Sequence, residues 1–341
     1  MKKKILYGIL IAVAALVAWQ YQLIAYGISQ GYGQFKVIWY ARPVTEVMAD
    51  SAVPDSVKKQ LQLIEEIKTY AFDSLGLKYS KNYTTFYDHK GAPILWMLTA
   101  CEPFELKAKE WTFPIIGSFS YKGFFRLEKA KKEEEKLKKE GYDTSIDEVA
   151  GWSTLGWFKD PILSEMLDRR PGGLANLIIH ELTHGTLYVK DNVEFNENLA
   201  SFVGDKGALR FLETKYGKAS EEYKEYAGSD KRHELYSQFV LKSAMRLDSL
   251  YKSFKPEDAF EFKLGKKTAM MGQIKAQLQS FLDGLRRKRR RHKIGEINNT
   301  YFMDYERYNG EQDTFEKEFE TTFHSDFKAY LAYLKKKYPS L

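Results

Sequence analysis

The chain has 341 residues, of which 44% are hydrophobic and 15% aromatic, so it can bury a sizeable core and is not a disordered protein. The net charge of +7 is spread along the chain except for one basic run at 286–293. The single cysteine, Cys101, excludes an intrachain disulfide and a zinc cluster made of cysteines.

The first 28 residues differ in kind from the others. Lys2, Lys3 and Lys4 precede an apolar stretch from Ile5 to Trp19, and mostly apolar residues continue to Ile28. This length falls in the range of roughly 17 to 25 residues that a membrane span needs. With the lysines on the cytoplasmic side, the pattern predicts a signal anchor, a single-pass inner-membrane location and an extracytoplasmic, periplasmic catalytic region. Secretion after cleavage of the segment is the alternative.

The remaining chain predicts an α+β fold with a small mixed sheet and a mostly helical C-terminal half. Residues 29–80 have a helical pattern and form a predicted collar, and residues 81–217 form the predicted central region. Residues 218–341 contain further helical patterns, and we expect no strand there. Strand-like runs are found at 83–87, 94–99, 111–116 and 143–149, and helical patterns at 126–141, 233–254, 266–288 and 313–338.

A short motif, His180-Glu181-Leu182-Thr183-His184, follows an apolar run within the central region. Positions four apart share one face of a helix, so both histidines can bind one metal while Glu181 lies over the same point. Pro171 with two following glycines indicates the helix start, and Gly185 indicates an end close to His184. The pattern is typical of a zinc hydrolase.

Zinc in a catalytic site commonly has a third protein ligand, often a carboxylate, and an open fourth position. Glu197 and Glu194 both follow the motif at a suitable distance. Glu197 begins a stripe of small residues, Ala200, Gly204 and Ala208, that would let a second helix approach the first closely. We therefore favour Glu197, with Glu194 as the competing ligand.

Several segments together resemble one known family, the bacterial predicted-aminopeptidase family of zinc peptidases of gluzincin type. The resemblance is carried by HELTHGTLYVKDNVEFNENLASFVGDKG (180–207), PIIGSFSYKGFF (114–125), GWSTLGWFKDPILSEML (151–167) and INNTYFMDYERY (297–308). It implies a Zn²⁺ ion on His180, His184 and Glu197, with Glu181 as the general base and aminopeptidase action on peptides. Ser201 stands where several gluzincins carry an Asp that supports a ligand histidine.

The same resemblance suggests residues that contact substrate: Ser153, Thr154, Leu155, Gly156, Asn299 and Tyr308. The alternative for 151–158 is an aromatic core strand. A later histidine often stabilises the oxyanion in gluzincins, which makes His233 a candidate, although an ordinary surface residue is the alternative.

The function predicted from the sequence is that of a membrane-anchored zinc metallopeptidase, most simply an aminopeptidase. The alternatives are a zinc endopeptidase of the cell envelope and a non-catalytic, membrane-anchored envelope protein with a structural zinc. The basic run at 286–293 is a solvated helix end in one interpretation and a site for anionic lipid or another polyanion in a second. We expect a peptide as substrate and no nucleic acid as partner.

Overall fold

The structure is a computed structural model, and it describes Tyr7 and residues 20–113, 117–149, 159–285 and 295–339. Its helices are α1 (Tyr21–Tyr40), α2 (Val44–Ala49), α3 (Asp55–Asp73), α4 (Leu127–Lys139), α5 (Pro171–His184), α6 (Val193–Tyr216), α7 (Glu221–Lys252), α8 (Phe260–Leu285), α9 (Asn299–Asn309), α10 (Gln312–Thr321) and α11 (Phe327–Lys337). Its strands are β1 (Arg42–Pro43), β2 (Thr85–Tyr87), β3 (Trp96–Cys101), β4 (Trp111–Phe113), β5 (Gly117–Phe119), β6 (Tyr121–Phe124), β7 (Asp143–Glu148) and β8 (Ile162–Leu163).

The predicted α+β class is confirmed, but the strands form three small sheets where the sequence predicted one. In the first, β2 pairs antiparallel with β1 and parallel with β8. In the second, β3 lies between β6 and β7, both antiparallel to it, and α4 packs on this sheet through Ala130 and Leu137. The third is the pair β4 and β5. The strands are only two to six residues long, so the three sheets stay small.

The main hydrophobic core is organised around α5. Leu174, Ala175, Ile178 and Ile179 are fully buried, at the spacing of three and four that an amphipathic helix shows. Apolar side chains of α3, α6, α10 and α11 belong to the same core. The predicted start at Pro171 and end at His184 are confirmed, and the motif therefore occupies the last two turns of a buried, rigid helix.

The predicted membrane anchor is wrong for the part of the chain that the structure describes. In these residues no helix is both long and apolar enough to span a membrane, which contradicts the predicted single-pass inner-membrane location. Residues 1–6 and 8–19 lie outside the described part. The physical reason lies in α1, where glutamines interrupt the apolar stretch. Tyr26 and Gln30 of this helix both donate hydrogen bonds to the Gly123 carbonyl of β6, at 2.8 and 2.6 Å.

The predicted helix at 313–338 differs from the structure in a way that the backbone explains. The pattern at 313–338 is divided into α10 and α11 because His324 and Ser325 adopt left-handed backbone angles, with φ of 50° and 63°. Asp160 and Pro161 precede β8, and a 3₁₀ helix, Ser164–Asp168, follows that strand. The predicted region boundaries stay untested; α1 continues without a break across residue 28.

Candidate metal centre

The two helices that carry the motif and Glu197 lie unusually close together. Gly204 of α6 faces α5, and a Cβ atom there would lie 3.1 Å from the Asn176 carbonyl oxygen and 3.3 Å from the Cβ of His180. Ala200 and Ala208, one turn away on each side, are fully buried. The small residues of α6 therefore allow the approach that brings Glu197 to the histidines.

Three side-chain atoms meet at this contact. Nε2 of His180 and Nε2 of His184 are 3.2 Å apart, and Oε2 of Glu197 lies 3.3 Å from the first and 3.5 Å from the second. Ligand atoms bound about 2.1 Å from a tetrahedral zinc ion are about 3.4 Å apart. The three side chains could therefore hold a metal ion, and they fit three corners of a zinc tetrahedron.

The electrostatics of the cluster favour an anionic Glu197. Its burial alone would raise the pKa of the carboxyl, but His184 and His180 outweigh that effect and hold the pKa well below its usual range. A carboxylate that stays ionised is a suitable metal ligand. Glu194, the competing candidate, is exposed in the first turn of α6 and does not belong to the cluster.

Glu181 follows His180 on α5 and is 8% exposed. Burial raises the pKa of its carboxyl to about 7, the neighbouring His180 lowers it, and Glu197 and Asp160 raise it further. A carboxyl with a pKa near neutrality can both accept and release a proton at physiological pH. Its place on the helix follows directly from the motif, because it stands one residue after a histidine.

The second hydrogen bond that a metal-ligating histidine usually makes is missing at His184. Its Nδ1 atom is buried, and no residue of the described ranges accepts a hydrogen bond from it. Ser201, which replaces the Asp expected from the resemblance, does not accept this hydrogen bond.

A different Asp of α6, Asp205, lies within electrostatic range of His180. Its carboxylate accepts hydrogen bonds from Tyr226 at 2.9 Å and from Asn176, and burial raises its pKa.

Tyrosines from three segments surround the cluster. The Tyr308 ring lies 6.4 Å from the His180 ring, and the Tyr188 ring lies 6.0 Å from the His184 ring. Burial and the nearby Glu197 raise the pKa of Tyr121 and Tyr308, and they raise that of Tyr188 to about 12. All three phenols therefore stay protonated at neutral pH and are able to donate hydrogen bonds.

The end of α9 is fixed against α6 by Asn198, the residue after Glu197. Its amide nitrogen donates to the carbonyl oxygen of Arg307 at 2.7 Å, and its amide oxygen accepts from the backbone N–H of Glu311 at 2.9 Å. Asn198 is fully buried, so these bonds are protected from water. Tyr308 is thereby held at a fixed distance from the candidate ligands.

Arg307 carries a buried charge directly before Tyr308. Its side chain is 4% exposed, and its Nη1 lies 2.9 Å from Oδ1 of Asp304, without the alignment of a hydrogen bond. The guanidinium carbon lies 5.7 Å from the centre of the Tyr121 ring. Burial raises the pKa of the Asp304 carboxyl to about 6 although Arg307 opposes the shift. The ion pair lies within α9, and the contact of its guanidinium with the Tyr121 ring links α9 to β6.

A cavity of about 760 Å³ adjoins the tyrosines, between β7 and α9. Tyr308, Asp304, Tyr305, Ser145 and Asp147 are among its lining residues. A larger cavity of about 1060 Å³ lies elsewhere; no cluster residue lines either cavity, but Tyr308 lines the smaller one. His89 lines the larger cavity, but both of its ring nitrogens already have hydrogen-bond partners, the Ala92 carbonyl at 2.6 Å and the Glu165 N–H at 3.2 Å. The smaller cavity is the better candidate for substrate.

The remaining predicted site residues have different outcomes. Asn299 is fully buried, and its amide is occupied by the Glu102 and Pro103 carbonyls and by the Tyr251 hydroxyl, which does not favour a role in substrate binding. His233 is exposed on α7; it contacts Asn309, the residue after Tyr308, at 3.2 Å and lies within electrostatic range of Asp205. Ser153, Thr154, Leu155 and Gly156, like the basic run at 286–293, lie outside the described residues.

Sequence reasoning missed Tyr121, Asn198 and Arg307. Their only local signals are weak: Tyr121 and Arg307 lie in segments that carry the resemblance, and Asn198 adjoins the candidate ligand. The pair of Asp304 and Arg307 has the spacing of an ordinary exposed ion pair on a helix. Nothing in the sequence showed that this face of the helix is buried.

Comparison with known proteins identifies the family of the chain. A protein-family model described as "putative aminopeptidase" matches residues 25–338. Searches of curated proteins and of solved structures found no match. Because the matching region covers nearly the whole chain, including the cluster and the α9 segment, the protein belongs to this aminopeptidase family.

Proposed function

We propose that this protein is a zinc-dependent metallopeptidase with a gluzincin-type site that removes amino-terminal residues from peptides. The observation that carries the proposal is the spacing of 3.2 to 3.5 Å among the ligand atoms of His180, His184 and Glu197. A zinc ion held there would supply a Lewis acid for the substrate carbonyl and for water. Two histidines and one glutamate leave a position open, as catalytic sites require.

Glu181 acts as the general base in this proposal. Its carboxylate takes a proton from the attacking water and then passes that proton to the nitrogen of the leaving amine. A carboxyl whose pKa lies at about 7 suits both steps. Its position on the same helix as both histidines fixes the proton acceptor relative to the reacting carbonyl.

Tyr308 is the better candidate for stabilising the oxyanion. Its ring adjoins His180, its hydroxyl stays protonated, and Asn198 holds the adjoining backbone to α6. A preorganised donor of this kind accelerates acyl transfer because it strengthens its hydrogen bond as negative charge develops. His233, the candidate from the sequence, is exposed on α7, contacts Asn309 and remains the alternative.

The choice of an aminopeptidase is supported by the family and by the acidic lining of the adjoining cavity. An enzyme that removes the first residue must hold a free, positively charged amine. Asp147 lines the cavity next to Tyr308, and Asp304 also lines it but is paired with Arg307 at 2.9 Å. Asp143 also lines it but is paired with Lys267 at 2.7 Å.

Replacement of Glu181 by Gln tests the function. Gln has nearly the same shape but cannot accept the proton, so we expect zinc binding to persist while kcat falls about a hundred-fold to ten-thousand-fold. The measurement is hydrolysis of matched peptides with free and blocked amines, together with metal analysis. The exposed Glu194→Gln is the control and should keep full activity. A near-normal rate in Glu181→Gln would favour a structural zinc site.

A further inference from the structure

Tyr83, two residues before the start of β2, has an unusual backbone conformation. Its φ is 60°, in the left-handed region that a bulky residue rarely adopts. Two bonds hold it there: its N–H donates to the Asp160 carbonyl at 2.7 Å, and Nζ of Lys68 donates to its carbonyl at 3.4 Å. Asn82 strengthens the first contact by donating to the Asp160 carboxylate at 2.9 Å. The strain is therefore maintained by a specific polar arrangement.

The side chain of Tyr83 is as unusual as its backbone. It is 1% exposed and belongs to the core around α5, yet its hydroxyl has no hydrogen-bond partner among the residues that the structure describes. A buried hydroxyl without a partner destabilises a protein, and Phe would fill the same space without that cost. The fold thus keeps a strained residue with a hydroxyl that contributes nothing to packing.

The surroundings of this hydroxyl suggest its use. Tyr83 lies within electrostatic range of two buried carboxylates, Glu181 and Asp160. Glu181 also receives no hydrogen bond from any described residue. The terminal torsion of a glutamate is soft, so its carboxylate can turn without a large energetic penalty. A donor without an acceptor and a carboxylate without a donor therefore share one buried region.

We propose that Tyr83 is a positioning residue for Glu181: its hydroxyl donates a hydrogen bond to the Glu181 carboxylate and holds it toward the attacking water. Tyr83 does not touch the substrate and acts only through Glu181. This inference rests on the proposed function, in which Glu181 is the general base. The strained backbone aims the ring, and the clamp of Lys68, Asn82 and Asp160 keeps it in place.

The variant Tyr83→Phe separates this role from a purely structural one. A structural tyrosine with an unpaired hydroxyl would give a variant of equal or higher thermal stability and unchanged kcat. The proposal expects lower thermal stability, because a buried hydrogen bond is lost, and a kcat at least ten-fold lower, with KM changed less than three-fold and zinc content unchanged. Unchanged kcat would overturn the proposal.

A second measurement does not depend on turnover. Infrared spectra are recorded on the full, zinc-loaded protein. The carboxyl band that disappears in the Glu181→Gln variant is assigned to Glu181. The proposal expects this band to move in Tyr83→Phe because a hydrogen bond is lost. If the protein hydrolyses no peptide but the band moves, the proposed function fails while the hydrogen bond from Tyr83 to Glu181 stands. A band that does not move overturns that hydrogen bond.

The control is Tyr330→Phe, which removes another fully buried hydroxyl, one bonded to Glu318 at 2.9 Å in the C-terminal helices. It should lower thermal stability and leave both kcat and the band unchanged. If Tyr83→Phe does not fold, Asn82→Ala carries the same test, since it weakens the clamp but keeps the hydroxyl. It should move the band and lower kcat, and an unchanged band and kcat would overturn the proposal.

Discussion

The two sides of the candidate site are built in different ways. His180, His184 and Glu197 lie on α5 and α6, which are joined directly by residues 185–192 and packed through Gly204. Tyr308 and Arg307 reach the site from α9, and Asn198 bonds to Arg307 across 109 positions of the chain. In the proposed function, the local side would hold the metal and the general base, and the distant side would supply Tyr308 and the wall against which a substrate lies. Substitutions on the local side should therefore affect metal binding, and substitutions on the distant side should affect the packing of α9 without removing the metal.

The largest effect is expected from removing the carboxylate of the local side. Glu197→Ala should purify with little zinc and no activity, because loss of a true ligand greatly weakens metal binding. Glu194→Ala should keep both, since this exposed side chain lies outside the cluster. Metal titration of the two variants makes the comparison. The opposite ranking would show that the third ligand is wrongly assigned.

The next effect concerns the wall. Arg307→Met leaves Asp304 without its counter-charge, and breaking a buried pair in this way typically costs about 3 to 5 kcal/mol. We expect urea unfolding to show this loss, while the folded variant still binds one zinc ion. Lys252→Met breaks the exposed pair with Asp248 and should change stability by less than about 1 kcal/mol. Loss of zinc from folded Arg307→Met would mean that the two sides are not separable.

A smaller effect sharpens the role of the helix contact. Gly204→Ala places a methyl group 3.1 Å from the Asn176 carbonyl oxygen, so α6 must shift, at a cost of about 1 to 3 kcal/mol. Glu197 would move with it, and zinc affinity should fall. Gly173→Ala has open space around the new methyl group and should raise stability by about 0.5 to 1 kcal/mol. Equal denaturant midpoints for the two variants would argue against a tight contact.

The sequence predicts the local side well because its evidence lies within one helical pair. The spacing of the histidines, the Pro and Gly signals around α5 and the small residues of α6 all act over one to four positions. Glu197 and Glu194 could be ranked for the same reason. The roles of these residues remain predictions, but the structure brings His180, His184 and Glu197 together and keeps Glu194 apart.

The distant side could not be predicted, because its burial depends on contacts between remote segments. Asp304 and Arg307 look like a surface pair until α9 is placed against β6 and α6. The strain at Tyr83 was hidden for a similar reason: its left-handed backbone depends on Asp160 and Lys68, and not on a glycine. The membrane prediction relied on apolar content, whereas α1 contributes polar side chains that bond to β6.

The short connection between α5 and α6 bears on the order of events during folding. Contacts between segments close in sequence form quickly because little loop entropy is lost. The candidate ligands fall between residues 180 and 197, so the helical hairpin that carries them can assemble before α9 arrives. We expect a metal ion added during refolding to bind early. Tyr308 and the remainder of α9 should pack against the hairpin afterwards, in a slower step, because 109 positions of the chain separate Asn198 from Arg307.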